Sequence, residues 1–394
     1  MGPGAAACAN SLRHDRYARS QGRERCPGAL LVYRHHRRQP LSGGVEAGID
    51  PAKYFIVFTE LFGSGKSSSP SNTAKPFDGR RFPVTTIRDT VRICHQLWFE
   101  ELKVRRPRSV VGFSMGAQQA FQWAVSYPDQ VESIVPVCGT AKTCHHGVVR
   151  LESAISCLQA DVNWNNGDLL GPLENGAEAR ARHWAAWVYS QEWWRKELFR
   201  DNGDASPQDV IKFFVSRFGS SKANDVVSQA RTWLRHDVGG SPGFDGDVEA
   251  ALRFIPARVL YMPDGTDLYF PLTAARYEKQ HLKHTCLETD TLIMGPRGRR
   301  GMGWQGAAVC SQIGKEVLGA VTPGSAPREP VRDGGWVRAG CNSIWWERDC
   351  FLTRGCGRSD SWSWCAPVSS SGRHGRCRRL VCGPVRSTRS SPGS

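Results

Sequence analysis

None of the 14 cysteines in the sequence is spaced C-x-x-C from another, so neither a zinc ribbon nor a thioredoxin-type redox motif has support. No stretch approaches the ~18 consecutive apolar residues that a membrane span requires. The N-terminus has no apolar segment of the kind that drives secretion, so neither export nor disulfides are implied and a cytoplasmic location is expected. Lysine is almost missing from both ends: residues 1–50 and 296–394 together hold 23 Arg against Lys315 alone. That bias matters because the chain is basic, with 52 Lys+Arg and 37 Asp+Glu. Residues 1–50 contribute 8 and 4 of these, residues 296–394 contribute 16 and 6, and the stretch between holds 28 and 27. All but one unit of the net charge of +15 therefore belongs to the ends. The near-neutral middle, without aromatic-basic interleaving or a nucleic-acid motif, argues against nucleic acid as a partner. A complete phosphate loop is missing too. Gly63-Ser64-Gly65-Lys66-Ser67 follows a strand candidate, but the glycine required five positions before the Gly-Lys pair is Glu60, so the backbone cradle is incomplete. Cys144-His145-His146 is a polar loop rather than a metal site, and no metal is expected.

What is present is organised around residues 109–128, SVVGFSMGAQQAFQWAVSYP. Val110 and Val111 suit a buried strand. From Gln118 the apolar residues recur at helical spacing until Pro128 ends the helix. The period switches at Ser114. A serine in such a turn takes a strained backbone conformation, and the positions two before and two after it must be small; here they are Gly112 and Gly116. The turn turns the hydroxyl away from the sheet and leaves the Met115 N–H, in the first helical turn, free for a developing oxyanion.

The remainder alternates. Tyr54–Phe58 reads as a strand, Leu61–Thr73 as a Gly/Ser loop, and Thr85–Leu102 as an amphipathic helix with Asp89 near its N-terminus. Ser133–Gly139 reads as a buried strand and its loop, and Arg258–Met262 as another strand, followed by Pro263–Asp267 and a helix over Thr273–His281. Such alternation predicts an α/β fold with a mostly parallel sheet. About 145–247 is helical and rich in tryptophan, the pattern of a lid inserted between two strands, with the indoles forming its core. A carboxylate just beyond a strand, after the nucleophile in the chain, is where the acid of a Ser…Asp…His order belongs. Asp267 is favoured, because Asp264 precedes Gly265 and fits a turn residue better. The domain is expected over 29–294, with Ala29–Tyr33 as an early strand, a disordered tail over 1–28 and an irregular, disordered tail over 295–394.

YFIVFTELFGSGKSSSPSN, VVGFSMGAQQAFQWAVSYPDQVE, VPVCGTAKTCHH, VNWNNGD and MPDGTDLYFP, in that order over Asp50–Met294, resemble the homoserine O-acetyltransferase-like branch of the α/β-hydrolase superfamily. The resemblance implies the α/β-hydrolase fold with a helical lid. It also implies Ser114 as acyl-accepting nucleophile, Met115 as an oxyanion donor, and Asp267 as the acid that orients a histidine. The implied activity is acyl transfer to homoserine or a similar alcohol, with an acyl-CoA donor as co-substrate, no bound cofactor, no membrane and a possible homodimer. An esterase of the same fold is the alternative. Two departures stand out: Arg34–Arg38 occupies the loop expected to supply the second oxyanion donor, and Met294-Gly295-Pro296-Arg297 stands where the family has Trp-Gly-His. His281 and His284 precede that position. A catalytically inert member of the fold is thus a further alternative. Both departures coincide with the changes in charge balance and Lys usage, which points to out-of-frame sequence at the two ends. Met294-Gly295 is encoded ATG GGN, and a one-base shift of it necessarily reads TGG, a tryptophan.

Overall fold

The computed structural model describes residues 55–104, 106–219 and 222–287, together with strands at 29–33, 336–339, 344–347 and 350–353. The expected tails at 1–28 and 295–394 otherwise lie outside the described residues.

Among the described residues seven strands form one sheet: β1 (Ala29–Tyr33), β2 (Phe55–Thr59), β3 (Pro107–Phe113), β4 (Ser133–Val137), β5 (Arg258–Tyr261), β6 (Thr285–Leu287) and β7 (Trp336–Ala339). Their order is β6-β5-β4-β3-β1-β2-β7, and every neighbouring pair is parallel. A parallel sheet must be covered on both faces, and β4 is accordingly buried at all five positions. Separately, β8 (Ile344–Glu347) and β9 (Cys350–Thr353) pair antiparallel. The strands β7 to β9 fall within the stretch read from sequence as irregular.

Helix α1 (Ile87–Gln96) starts at a capping box. The Thr86 N–H donates to Asp89 Oδ2 at 2.8 Å and the Asp89 N–H to Thr86 Oγ1 at 3.2 Å, so two donors that the first turn leaves unpaired are satisfied. A single π turn over Leu97–Glu101 extends it and buries Trp98. Helix α2 (Met115–Ser126) is buried along all of its length but the last residue, since it packs between the sheet and α1.

Between β4 and β5 the chain builds α3 (His145–Gln159), α4 (Glu174–Val188), α5 (Gln191–Arg195), α6 (Pro207–Phe218), α7 (Ala223–Leu234) and α8 (Val248–Phe254). Tryptophan glues this insertion. Trp193 is fully buried, stacked on Tyr189 at 3.7 Å and edge-on to Trp194 at 4.9 Å. Helix α9 (Leu272–Lys279) follows β5. No helix among the described residues is long and apolar enough to cross a membrane.

Candidate active site

Ser114 joins β3 to α2 with φ 55° and ψ −119°, a conformation that costs a non-glycine residue of order 1–3 kcal/mol. The surroundings hold it there. Its N–H donates to Val137 O at 2.9 Å, tying the turn to the end of β4, while its carbonyl accepts from Ala117 N at 2.9 Å and Gln118 N at 3.2 Å to start α2. Gly112 is required by space: a Cβ there would lie 1.9 Å from Gly116 O and 2.1 Å from Gly116 C. Strand and helix therefore cross at near backbone contact, with the half-buried Ser114 at the apex. Met115 follows as the first helical residue, where an N–H has no intrahelical acceptor.

Asp267 lies in the loop between β5 and α9. Because β3, β4 and β5 are adjacent and parallel, Ser114 and Asp267 leave the same edge of the sheet with β4 between them. The end of β4 links the two: Val137 O accepts from Ser114, and Cys138 N donates to Met262 O at 2.9 Å at the root of the Asp267 loop. Asp264 closes its own turn, accepting from Thr266 N at 2.6 Å and Thr266 Oγ1 at 2.8 Å. Asp267 accepts from Tyr269 N at 2.7 Å through Oδ1, and its buried Oδ2 has no hydrogen-bond partner among the described residues. Burial pushes this carboxyl up to about 7, with the N–H groups of Tyr269 and Phe270 pulling the other way. Burial also raises the Cys138 thiol well above its ordinary value, with Asp267 and Asp264 adding to the effect.

No histidine among the described residues bonds Asp267. His281 faces Arg253 Nη1 at 3.0 Å and the ring of Tyr277, away from the loop, and His284 is exposed just before β6. His236 is buried, neither ring nitrogen has a hydrogen-bond partner among the described residues, and burial pushes it down to about 4. His146 sits beside the Trp187 ring at 5.1 Å. The positions 294–297, read against the missing histidine, lie outside the described residues. So do Arg34–Arg38; their strand, however, pairs Tyr33 with Gly112, which brings the end of β1 beside the Ser114 turn.

The Gly/Ser loop after β2 is built for structure. Lys66 Nζ pairs with Glu60 at 3.0 Å, and Ser71 donates to Asp225 of α7 from its N–H at 2.9 Å and its hydroxyl at 2.6 Å. Cys144 caps α3, its Sγ accepting from Gly147 N at 3.4 Å.

Two buried groups near the site escaped the sequence reading. Glu278 of α9 accepts from Ala141 N at 2.9 Å and meets the Tyr261 hydroxyl at 2.7 Å, joining α9, β5 and the loop after β4. Arg150 stands among Gly147, Leu151, Ala154, Ile155 and Leu158 on the buried stripe of α3. An arginine at helical spacing within an apolar stripe was the available signal.

A family model for the alpha/beta hydrolase fold matches residues 44–290. An ethyl acetate hydrolase of Pseudomonas veronii is 31% identical over 245 residues, 61% of this chain and 70% of that protein. The crystal structure of an acetylester hydrolase from Corynebacterium glutamicum superposes with a TM-score of 0.67 at 28% identity, covering 74% of this chain and 86% of that one. A homoserine O-acetyltransferase of Rhodospirillum rubrum is 36% identical over 151 residues, 36% of this chain and 38% of that protein. The chain spans about two thirds of the length of the curated esterase relatives it matches.

Proposed function

The chain belongs to the α/β-hydrolase family, and within it we propose that it is an esterase for short acyl esters, acetyl esters foremost, working through an acyl-enzyme on Ser114. The observation that carries this reading is the strained Ser114 turn, set beside the first N–H groups of α2 at the edge of the sheet that also bears Asp267. The acyl-transfer reading drawn from the sequence yields first place to ester hydrolysis, because the ethyl acetate hydrolase is 31% identical over 61% of the chain, whereas homoserine O-acetyltransferases matched over a comparable 58–59% of it are 27–29% identical.

In the proposed reaction Ser114 Oγ adds to the ester carbonyl as its proton passes to a base, and the Met115 N–H steadies the oxyanion. The alcohol departs with that proton. Water then adds to the acyl-enzyme, releasing the acid and restoring Ser114. Asp267 serves by orienting the base and opposing the charge it gains.

A second reading is carried by Oδ2 of Asp267, which has no hydrogen-bond partner among the described residues. If no histidine of the chain reaches that oxygen, the protein is a non-catalytic member of the fold, since loss of a triad member leaves only residual oxyanion-hole and binding effects. Transfer of the acyl group from acyl-CoA to homoserine or another alcohol is the outcome if the lid binds an acceptor in place of water. The test is to measure p-nitrophenyl acetate hydrolysis, acetyl-CoA-dependent acetylation of a panel of alcohols, and labelling by a fluorophosphonate. Hydrolysis and labelling that both vanish in Ser114→Ala support the esterase. Full activity in Ser114→Ala refutes the mechanism, and an unlabelled, folded wild type establishes the inert reading.

A further inference from the structure

Arg150 is 1% exposed, on a helix face otherwise given to small and apolar side chains. Its guanidinium carbon lies 3.8 Å from the ring centroid of Tyr269, 4.6 Å from that of Trp233 on α7 and 5.6 Å from that of Trp184 on α4. Three ring faces thus immobilise the cation, yet Nε, Nη1 and Nη2 have no hydrogen-bond partner among the described residues. A buried cation without an opposing charge is strongly destabilising. Tyr269 supplies the connection: its ring carries the guanidinium, while its N–H donates to Asp267 Oδ1 at 2.7 Å.

We infer that Arg150 is a positioning residue for Asp267, a fixed cation that the lid helices α3, α4 and α7 hold against the Tyr269 loop so that the carboxylate can exist as an anion in a dry site. The inference deepens the esterase reading, in which an ionised Asp267 is what holds the base. It makes the lid more than a cover, because the indoles of Trp184 and Trp233 come from helices of the insertion and fix the charge that Asp267 meets. The groups that face Asp267 agree with this assignment. Asp264 in the same loop and the Cys138 thiol at the end of β4 oppose its ionisation, and Arg150 favours it. On the Arg150 side stand the Cys144 thiol, the Tyr269 hydroxyl and His183 of α4. The Arg180 guanidinium, also on α4, is likewise depressed by burial and acts on Tyr269.

The decisive experiment is a double-mutant cycle on the full chain, with unfolding followed at pH 5 and pH 8.5 for the wild type, Arg150→Met, Asp267→Asn and the double variant. At pH 8.5 Arg150→Met should destabilise the protein more in the wild-type background than in the Asp267→Asn background, and at pH 5, where Asp267 is protonated, this coupling should vanish. The pH at which Asp267 loses its proton should rise by about one unit in Arg150→Met, a tenfold change in proton affinity, and Arg150→Lys should bring it back. A coupling of equal size at both pH values, or Arg150→Lys behaving as Arg150→Met, would show Arg150 to be filler only and overturn the inference. If Arg150→Met does not fold, Arg150→Gln enters the same cycle. Unfolding is read here rather than turnover, so absence of esterase activity leaves this result standing, and failure of the cycle leaves the Ser114 chemistry standing.

Discussion

The substitution Gly112→Ala puts a methyl group into the crossing of β3 and α2. The added Cβ would lie 1.9 Å from Gly116 O, 2.1 Å from Gly116 C and 2.7 Å from Ala117 N, all backbone atoms that no rotamer change can move. Reaching even 3.0 Å, the floor for real Cβ contacts, requires a displacement of about 1 Å between a central strand and the helix packed on it. Overpacking of this kind costs typically ~1–3 kcal/mol, and the upper end applies because both partners are core backbone. At ~2–4 °C per kcal/mol for a domain of this size, the melting temperature should fall by ~6–12 °C. Ser114 moves with the crossing, and a misplacement of ~1 Å at a reacting group can cost ~100-fold in rate, so fluorophosphonate labelling should slow far beyond the loss of folded protein. The matched control is Gly147→Ala in α3, where the new Cβ meets only Thr143 Cγ2 at 3.4 Å and Cys144 Sγ at 3.5 Å. There the gain in helix propensity should stabilise by ~0.5–1 kcal/mol. A Gly112→Ala protein that melts within a degree of wild type and labels at the same rate would refute the argument.

Glu278 is pushed up to about 8 by burial, so its folded value lies above its unfolded one. Such a group contributes stability that is full below the unfolded value near 4.5 and is lost as pH rises through 8. Glu278→Gln should therefore flatten the fall in melting temperature between pH 6 and 9, and a profile as steep as wild type would contradict the burial argument. Trp193→Ala should cost ~3–5 kcal/mol in urea unfolding, since the side chain is fully buried among Tyr189, Trp194 and Phe199; a loss under 1 kcal/mol would mean that the lid repacks around the void. Sequencing the transcript across codons 28–50 and 285–305 should find a shifted reading that supplies Trp-Gly-His after the last strand, and an intact frame without it in either shift would leave the inert account.

How much of this could be read in the sequence depended on range. The Ser114 turn was legible because its requirements are local: an apolar strand, two glycines at fixed offsets and a helical period lie within twenty residues. Asp264 and Asp267 could be ranked because an Asp-Gly turn also declares itself locally, and Asp264 does close that turn. The capping box at Thr86 extends the same logic to Asp89, whose place near the helix start was apparent. The resemblance to acyl-transfer enzymes was legible as well, but the choice between water and an alcohol as acceptor rests on the shape of the lid interior and leaves no local pattern.

Tertiary structure decided what depends on partners distant in the chain. Ala29–Tyr33 looked like a strand feeding the wrong residues, yet its register opposite Gly112 puts it beside the Ser114 turn, a fact that pairing across some eighty positions alone could establish. Trp336–Ala339 had no period to mark it and still pairs with β2, because a strand at a sheet edge needs only backbone donors and acceptors. Sequence alone thus singled out the residues proposed to carry chemistry, since a candidate nucleophile, its turn glycines and a candidate acid are matters of residue type and spacing. Tertiary structure set how readily each group carries its charge: Asp267, Glu278 and Arg150 are ordinary ionisable side chains until folding strips their water, and what then surrounds each is set by elements far away in the sequence.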